Sequence, residues 1–581
     1  MKKEGLTTKD VVYNPPISLL RKQSTKSISV IGLDTEAYTT GKMFMFATSE
    51  GDVFEPQDFP DCFFTRKYRG NHFVVYNLKY DEGAFIQTLP YLNKTELWKT
   101  GRTEYNSYIY KSIPKKLLSV SRGKNAIHIW DMAGFFMTSL DNAAKEFLGE
   151  GKLDVGNKDF TPERVQLEYT EIARYCIQDA QLTQRLAQTL IKTFESMGIY
   201  PTKLYSTAYV SYQYFSSTCT IPTVKRFWDY DRKLLDYAML SYNGGKFEVT
   251  EKGIDNYWEY DINSAYPYEI ANLLDISEAE VIYSAQYQRR CSYGFLLCEL
   301  RIPANLHHSI ALKRGGVNVY PAGSYTKVIT KQEYDYLIEC GNKPHILQGC
   351  WLCIPKISYP FQQEVERLYK LKSTLKATGD KTTYHLVKIL LNSLYGKFCQ
   401  LIESGDKYRA SGCWNPIYAS IITANTRIKM SKMQNQYPSI VAVFTDSIIS
   451  TKPLPISPNT TLGEFSPTIN GRGVIVGSGV YQIGDKVKFR GFEGKFNLIE
   501  LIRTADKHIE IDSIRPYSWR EVIFHKWDDD LINKFSPVRK TIGPDFDTKR
   551  TWLDDYKTFQ DILTRKVESV PLFHDTEIGF I

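Results

Sequence analysis

The sequence predicts a protein of mixed α/β and α+β class with several domains. Its 581 residues are too many for a single hydrophobic core. Strand-like apolar runs and a long helical pattern alternate in the first third, at 27–33, 73–76, 126–130 and 168–194. Helical patterns with one strand-like run follow in the second half, at 361–376, 382–399, 417–434 and 440–450. Residues 501–581 also show helical spacing.

Composition and charge indicate a globular protein and permit a polyanionic partner without demanding one, and composition alone favours mostly structural roles for the many tyrosines. Hydrophobic residues at 43% and charged residues at 24% are ordinary for soluble domains. The net charge of +8 permits a nucleic-acid partner, and 40 tyrosines offer stacking faces for bases and sugars. The sequence contains neither an apolar run of about 18 residues nor an apolar signal core after Met1. We therefore expect no membrane span and no secretion by a signal peptide.

The cysteines suggest a reducing environment. Ten are scattered along the chain without a paired framework, which predicts a cytosolic protein. Zinc ligation is conceivable at Cys340, His345, Cys350 and Cys353. A single CxxC without a second pair disfavours it.

Three segments of the second half predict nucleotidyl transfer. Asp261-Ile-Asn-Ser-Ala-Tyr-Pro267 and Phe444-Thr-Asp-Ser447 each place a carboxylate in a strand-like run. Two Mg²⁺ ions need anionic oxygen ligands from separate strands, and a nucleoside triphosphate needs a cation on its far side. Lys388 and Asn392 lie between the carboxylates at i, i+4 of one helical pattern, so both project towards one ligand.

A second set of carboxylates in the first domain predicts phosphodiester hydrolysis. Asp34 and Glu36 share one side of a strand because alternate side chains point the same way. Asp81 follows another strand, and Tyr175 and Asp179 share a helix face. Four such carboxylates can hold two Mg²⁺ ions about 4 Å apart, with the phenol orienting the attacking water. Each motif is weak alone, but their order makes them specific.

In these motifs the chain resembles the family B DNA polymerases, and specifically the protein-primed branch of small linear-genome phages. The resemblance covers residues 28–500. It implies an RNase H-like 3′–5′ exonuclease domain followed by a right-hand polymerase with palm, fingers, thumb and insertions. The domains expected after an N-terminal extension at 1–27 are the exonuclease domain at 28–190, first palm part at 191–272, terminal-protein-region insertion at 273–355, fingers at 356–398, shortened second insertion at 399–414, second palm part at 415–500 and thumb at 501–581.

The resemblance assigns the exonuclease residues. Its three exonuclease motifs match Asp34/Glu36, Asn77/Asp81 and Tyr175/Asp179, with the four carboxylates as metal ligands. Lys152 matches a lysine that supports exonuclease catalysis. Contacts with single-stranded DNA or the primer protein are implied for Asn77, Phe85, Ser139 and Leu140. Glu82 is an extra acidic residue relative to the family spacing, which bears on the role of Phe85.

The polymerase motifs are assigned in the same way. Asp261 and Asp446 are the implied metal ligands, and Tyr266 lies under the sugar, where a bulky ring excludes a 2′-hydroxyl. Nucleotide binding is implied for Ser264, Tyr266, Lys376, Lys388, Asn392 and Tyr395, of which Lys388 and Tyr395 also count as catalytic. DNA binding is implied for Tyr242, Gly244, Gly245, Thr445, Tyr481 and Lys488, the first three forming a linker that coordinates primer traffic between the two sites.

Three departures from the family pattern stand out. Phe444 occupies the place of the first aspartate of the Asp-Thr-Asp-Ser motif. Because the second aspartate, Asp446, is the implied metal ligand, we expect activity to survive with a changed metal preference. Gly479 replaces the lysine of a Lys-x-Tyr motif, for which Lys486 or Lys488 can substitute. The stretch from Gly396 to Asp446 leaves little room for the second insertion, which argues against assuming high processivity.

The resemblance implies a DNA-dependent DNA polymerase with proofreading that is primed by a terminal protein. Its expected cofactors are two Mg²⁺ per active site, with Mn²⁺ able to substitute. Its expected partners are template and primer DNA, dNTPs and the terminal protein, and we expect a monomer in the cytoplasm, that of the host cell if a virus encodes it. The alternatives are a primer-independent family B enzyme and an inactive homologue that acts as a DNA-binding scaffold. An exonuclease alone is disfavoured, since Lys388, Asn392 and Tyr395 would have no task.

Overall fold

The first domain is an α/β domain built on one mixed sheet. The computed structural model of the protein describes residues 5–16, 25–156, 159–404, 406–492, 496–554 and 556–575. The strands of this domain are β2 (Val30–Ala37), β3 (Met43–Thr48), β4 (Val53–Phe54), β5 (His72–Val75), β6 (Arg102–Tyr105), β7 (Tyr108–Ile113), β8 (Leu117–Arg122) and β9 (Asn125–Asp131). Their order in the sheet is β4-β3-β2-β5-β9-β8-β7-β6. Its helices are α1 (Leu78–Ile86), α2 (Tyr91–Thr100), α3 (Ala133–Phe136), α4 (Leu140–Phe147) and α5 (Pro162–Ser196).

A close contact between α5 and β2 brings the first-domain motifs together. At Gly32 an added Cβ would lie 1.8 Å from the carbonyl oxygen of Ala180, so only glycine permits this approach. Strand β2 runs parallel to β5, and β5 runs parallel to β9, as in an α/β sheet. The predicted strand-then-helix pattern of this domain is confirmed.

The second half is organised around a central sheet. Its strands follow the order β10-β20-β21-β11-β22-β23-β24. They are β10 (Phe247–Val249), β11 (Glu251–Ile262), β20 (Ile440–Phe444), β21 (Ser447–Ser450), β22 (Phe465–Gly477), β23 (Val480–Ile483) and β24 (Lys486–Phe489). The accompanying helices are α6 (Thr207–Thr218), α7 (Lys225–Tyr230), α8 (Arg232–Ser241), α9 (Ala265–Ala271), α11 (Gln362–Thr378), α12 (Lys381–Ser393), α13 (Tyr395–Phe398) and α14 (Pro416–Gln436).

Two predictions for this region have different outcomes. The helical hairpin is confirmed: α11 ends at Gly379, whose φ is +77°, and Asp380 caps α12 by accepting a hydrogen bond from the Thr383 backbone N–H at 3.0 Å. The single strand expected at 440–450 is wrong. Strands β20 and β21 pair antiparallel there, because the chain reverses between Phe444 and Ser447.

The stretch after α9 forms a sheet of its own. Its strands follow the order β12-β17-β13-β16-β29. The elements are β12 (Glu280–Tyr283), β13 (Tyr293–Ile302), the β14 (Leu312–Arg314) and β15 (Val317–Val319) hairpin, β16 (Ala322–Thr330), α10 (Lys331–Glu339) and β17 (His345–Cys353), while β29 (Phe573–Asp575) comes from the other end of the chain. The strands expected in the insertion are confirmed.

The cysteines of this sheet differ from expectation. Cys291 and Cys353 are joined by a disulfide, whereas the sequence predicted no pairing. His345 pairs with Glu299, its Nδ1 lying 3.0 Å from the carboxylate. In the part of the chain that the structure describes, Cys340, His345, Cys350 and Cys353 do not form a metal-ligand cluster.

The C-terminal region is built mainly from strands, so the helical spacing predicted there is wrong. Its elements are α15 (Leu498–Thr504), β25 (Ile509–Pro516), α16 (Trp519–His525), β26 (Phe535–Ile542), β27 (Arg550–Trp552), α17 (Phe559–Thr564), β28 (Val567–Pro571) and β29. Strand β28 pairs with β11 of the central sheet, and β29 pairs with β16. The stretch expected as the thumb thus also supplies strands to the central sheet and to the sheet after α9.

The described part of the N-terminal extension is docked rather than free. Strand β1 (Val11–Val12) runs parallel to β19 (Lys407–Ala410), which pairs with β18 (Leu401–Ser404). Tyr13 packs edge-on against Trp228 and Trp414, with ring centroids 5.4 and 5.2 Å away. The short segment expected as a second insertion thus forms a sheet with the N-terminus. None of the helices in the described ranges combines the length and apolar composition needed to cross a membrane.

Candidate active sites

The central cavity gathers the two aspartates predicted for nucleotidyl transfer. Asp261 lies near the end of β11 and is in register with Ser447 of β21, next to Asp446 in the hairpin turn. The backbone N–H of Ile262 donates to the Asp446 carbonyl at 2.8 Å, which fixes the turn beside β11. Both side chains line a cavity of about 940 Å³.

Electrostatics at this cavity favour a bound cation. Burial, together with the carboxylates of Glu259 and Asp446, raises the pKa of Asp261 to about 6. The pKa of Asp446 is also raised, first by burial and then by Glu259. The carboxylates of Asp261 on β11 and Asp446 in the neighbouring hairpin turn supply the hard oxygen donors that Mg²⁺ prefers, and a cation would relieve their repulsion. The donor set therefore fits a divalent metal.

Helix α12 presents to solvent the two side chains predicted to bind a nucleotide. Lys388 and Asn392 are both exposed on α12, as the i, i+4 spacing predicts. Beside them the rings of Tyr266 and Tyr395 lie 4.5 Å apart, and the hydroxyls of Tyr242 and Tyr395 are hydrogen-bonded at 2.7 Å. Three motifs distant in sequence thus meet through their tyrosines.

Lys372 is a candidate that the sequence analysis missed. Its ammonium group donates to the Ser264 hydroxyl at 3.1 Å, while the predicted Lys376 is exposed one turn further along α11. Burial lowers the pKa of Lys372, and the positive charges of Lys388 and Lys376 lower it further. The ammonium groups of Lys372, Lys376 and Lys388 therefore lie close enough for the charges of the other two to act on Lys372. The basic cluster at 370–376 contained the signal, but spacing alone did not identify the lysine that turns inward.

The first-domain site brings its predicted carboxylates together. Ligand atoms of Asp34, Glu36 and Cys176 all lie within 4.8 Å of one another. Burial raises the pKa of Asp34 well above its ordinary value, and the charges of Asp179, Glu36 and Asp81 add to the rise. Because these negative charges lie close together, a divalent cation would relieve their repulsion, as it would for Asp261 and Asp446 in the central cavity. Cys176 was not predicted.

Hydrogen bonds and an ion pair hold this site in place. The Thr35 hydroxyl donates to Asp81 at 2.8 Å, which fixes that carboxylate on α1. Lys152 forms an ion pair with Asp179, and its ammonium group lies 4.9 Å from the centre of the Tyr175 ring. Lys152 thus touches both members of the predicted helix-face pair.

Asn77 stands at the start of α1 in a left-handed conformation, with φ +81°. Asparagine tolerates this conformation better than most residues do. The backbone N–H groups of Asn77 and Leu78 donate to the Asp131 carboxylate at 3.1 and 3.2 Å. The Asn77 side chain is exposed, and Asp131 is a supporting residue that the sequence analysis missed.

Two side chains with predicted DNA contacts are buried in the first domain. Phe85 is completely buried and stacks on Phe59 at 4.6 Å in the first-domain core. Leu140 is also buried, while Ser139 remains exposed and caps α4 by accepting the Asn142 N–H at 3.2 Å. Phe85 and Leu140 are buried for the same reason, since apolar side chains on these short helices point into the core.

Tyr80, unlike Phe85, keeps part of its side chain accessible beside the first-domain carboxylates. It is half-buried, and its pKa is raised by burial and then by Glu36, Asp81 and Asp34, which places its phenol among the carboxylates. The Phe535 ring lies 6.2 Å away. The sequence signal was available, because Tyr80 immediately precedes Asp81.

The residues of the Lys-x-Tyr region, for which a primer contact was predicted, lie on the wall of the central cavity. Tyr481 is buried, stacks on Phe444 at 5.0 Å and donates its hydroxyl to Glu259 at 2.9 Å, so the structure leaves it little surface for DNA. Lys488 is exposed on the same wall. Gly479 has φ +79°, a conformation that disfavours lysine there.

The Tyr-x-Gly-Gly loop contacts the hairpin turn directly. A Cβ on Gly245 would lie 2.6 Å from the Thr445 side chain, whereas Gly244 faces nearly open space. Thr445 itself has φ +64°, which is strained for a β-branched residue. The absence of a side chain at Gly245 therefore accommodates the Thr445 side chain, whereas a DNA contact was predicted for this glycine.

Comparison of the sequence with protein-family models indicates which class of protein the chain is similar to. Residues 157–412 match the family model of DNA polymerase type B, organellar and viral. The resemblance to family B DNA polymerases that the motifs predicted is confirmed, and the chain is similar to the viral and organellar members of that family. A search of curated proteins found no match.

Solved structures then give particular relatives. The structure of Phi29 DNA polymerase complexed with primer-template DNA and incoming nucleotides matches with a TM-score of 0.63 and 16% identity, covering 89% of this chain and 100% of the polymerase. The orthorhombic crystal form of Phi29 DNA polymerase matches with a TM-score of 0.59 and 17% identity, covering 80% and 90%. At this identity the likeness shows a shared fold, which confirms the predicted multidomain fold class.

Proposed function

We propose that the chain is a DNA-directed DNA polymerase whose polymerisation site is the central cavity. The observation that carries the proposal is the meeting of Asp261 of β11 with Asp446 of the adjacent hairpin turn in one cavity, within a fold similar to that of a template-bound polymerase. Two Mg²⁺ ions, held by these carboxylates, would activate the primer hydroxyl and stabilise charge on the transferred phosphoryl group. Mn²⁺ would substitute for Mg²⁺.

The side chains around the cavity then have distinct tasks. Lys388 and Lys372 are positioned to bind the triphosphate as point charges. Tyr266, packed against Tyr395, would close the space beneath the sugar and exclude a 2′-hydroxyl. The exposed Lys488 would bind the primer backbone.

Primer extension tests the polymerase proposal. Wild-type protein should extend a labelled primer on a template with Mg²⁺ or Mn²⁺, and Asp446→Ala should abolish extension while retaining the wild-type melting temperature. Gel analysis of products gives the readout. A wild type that extends no primer and does not differ from Asp446→Ala would leave an inactive DNA-binding homologue as the better explanation.

We propose in addition that the first domain is a 3′–5′ exonuclease. Support comes from the shared neighbourhood of Asp34, Glu36, Asp81 and Asp179 and from the ion pair of Lys152 with Asp179. Asp34→Ala combined with Glu36→Ala should abolish degradation of single-stranded DNA and leave primer extension intact. Loss of both activities would instead assign the pair to folding.

Priming by a terminal protein is the third part of the proposal. The separate sheet built from β12, β13, β16 and β17 offers a platform for such a partner, in the position of the predicted insertion. A terminal-protein candidate incubated with the polymerase and a radioactive dNTP should acquire a covalent dNMP label. Extension of ordinary primers without any such labelling would favour a primer-independent enzyme.

A further inference from the structure

Glu259 is a third carboxylate of the central cavity that no motif predicted. It lies two residues before Asp261 on β11, so the two side chains share a face of the sheet. Only 1% of it is exposed, yet it lines the same cavity as both aspartates. The Tyr481 hydroxyl donates to one of its oxygens at 2.9 Å, and the Lys486 ammonium group donates to the other at 2.5 Å. Both oxygens are thus held in fixed directions.

The same part of the cavity lacks the carboxylate expected at position 444. Phe444 pairs with Ser447, and Ser447 pairs with Asp261, so Phe444 and Asp261 stand at one level of the sheet. The Phe444 ring stacks on Tyr481 with the planes 8° apart. Tyr481 therefore joins the apolar ring at 444 to the carboxylate at 259.

Glu259 also acts electrostatically on the two aspartates. Its carboxylate shares a face of β11 with Asp261 and lines the same cavity as Asp446, so its negative charge acts on both aspartates. A carboxylate of this kind strengthens the attraction of the cavity for cations even where it does not ligate them. The alternative is that Glu259 exists only as a buried ion pair with Lys486, which would contribute little beyond folding.

We propose that Glu259 is a positioning residue of the polymerisation site. Its carboxylate supplies, from β11, the negative charge that Phe444 removes from the neighbouring hairpin, and it thereby maintains the affinity of Asp261 and Asp446 for a divalent cation. The inference rests on the proposed polymerase function for its biological meaning. Its test does not require polymerisation.

Binding of Mn²⁺ to the full-length protein provides that test, measured from free Mn²⁺ by electron paramagnetic resonance. All variants carry Asp34→Ala and Glu36→Ala, which removes the first-domain ligands from the titration. Glu259→Gln preserves shape and should weaken binding about tenfold. Glu259→Asp keeps the charge and should lose less than about threefold. Adding Phe444→Asp to Glu259→Gln should recover at least about threefold by returning a carboxylate to the hairpin.

The results separate the two roles. Wild-type Mn²⁺ affinity in Glu259→Gln, with or without a lower melting temperature, would overturn the proposal and leave Glu259 as an ion-pair partner. Equal losses in Glu259→Gln and Glu259→Asp would overturn it too, and a folded Glu259→Gln/Phe444→Asp protein without recovery would refute the exchange between positions 259 and 444. A wild type that binds Mn²⁺ but extends no primer would contradict the polymerase function and not this inference.

Discussion

Two aromatic side chains of helix α1 have different surroundings. One lies beside the first-domain carboxylates and the other lies in the hydrophobic core, so we expect the first to serve activity and the second to serve stability. Tyr80 lies half-buried among the first-domain carboxylates, while Phe85, little more than one turn later, is completely buried against Phe59. Stacking on a base requires an accessible ring face. The DNA-contact role that the family pattern assigns to Phe85 is therefore better suited to Tyr80.

Substitution of these two rings should give different phenotypes. Tyr80→Ala should slow degradation of single-stranded DNA about tenfold, since base stacking on an aromatic ring is worth about 1–3 kcal/mol. Tyr80→Phe keeps the ring and serves as the control. Phe85→Ala should lower the free energy of unfolding by about 3–5 kcal/mol through a core cavity. Exonuclease rates and melting curves measure the two effects. A normal rate in Tyr80→Ala would contradict this assignment.

The inward-turned lysine of α11 makes a prediction for nucleotide binding. Lys372 contacts Ser264 and lies near Lys388, whereas Lys370 of the same helix is exposed. Lys372→Ala should raise the KM for dNTP about tenfold, because a charge-assisted contact with the triphosphate is worth about 1.5–3 kcal/mol. Lys370→Ala is the matched control and should stay near wild type in steady-state incorporation assays. Equal effects in both variants would indicate general loss of positive charge.

A buried carboxyl on α9 gives the protein a pH-dependent stability. Burial raises the pKa of Glu269 from 4.5 to about 7, although Asn425 donates to it at 2.8 Å. The folded state therefore holds this proton more tightly than the unfolded state, so stability falls as pH rises from about 4.5 to about 7. Between pH 5 and pH 8, Glu269→Gln should gain up to about 3 kcal/mol relative to wild type. Paired melting curves at both pH values test this, with the exposed Glu366→Gln as control. A difference that does not change with pH would refute the argument.

At the scale of elements, the sequence predicted those parts whose structure is determined by nearby residues. The α11–α12 hairpin follows from the Gly379-Asp380 break, and the i, i+4 pair on α12 follows from helix geometry. Strands β25 and β26 were missed although they pair with each other. Strands β28 and β29 were missed because they pair with strands far away in sequence, as in the pairing of Glu251 with Glu568. The same limit applies to the sites. Spacing identified the carboxylates, but the inward turn of Lys372 and the burial of Phe85 depend on tertiary packing.

The docked N-terminal strand shows such a non-local dependence and can be tested. In β1, Val11 is 5% exposed and Val12 is 52% exposed, although both belong to one two-residue strand beside β19. Val11→Asp should destabilise the docking by about 3 kcal/mol because it buries a charge without a partner. Trypsin cleavage at Lys407 should then accelerate, while Val12→Asp should leave it unchanged. Similar cleavage rates in the two variants would mean that β1 does not protect the β18–β19 hairpin.

At the scale of the whole molecule, the C-terminal residues connect parts that are far apart in sequence. Strand β28 extends the central sheet, β29 joins the insertion sheet, and α16 packs its Trp519 into the first-domain core. Arg520 of α16 reaches the buried Glu82 of α1 at 3.5 Å and also donates to Ser112. The extra acidic residue noted in the sequence thus belongs to an interface between the first domain and the C-terminal region.

This interface leads to a prediction about the attachment of the C-terminal module, formed by β25, α16 and β26, to the first domain. Arg520→Met keeps much of the packing on Trp519 but leaves the charge of Glu82 buried and unpaired, which should cost about 3–5 kcal/mol. Combining it with Glu82→Gln should recover at least half of that loss, because the uncompensated charge is gone. Arg515→Met, which removes the more exposed pair with Glu521 on the same module, should cost less than about 1 kcal/mol. Hydrogen exchange over 517–532 and melting curves measure the effect. If hydrogen exchange over 517–532 is no faster in Arg520→Met than in Arg515→Met, the module is held against the first domain by its apolar contacts alone.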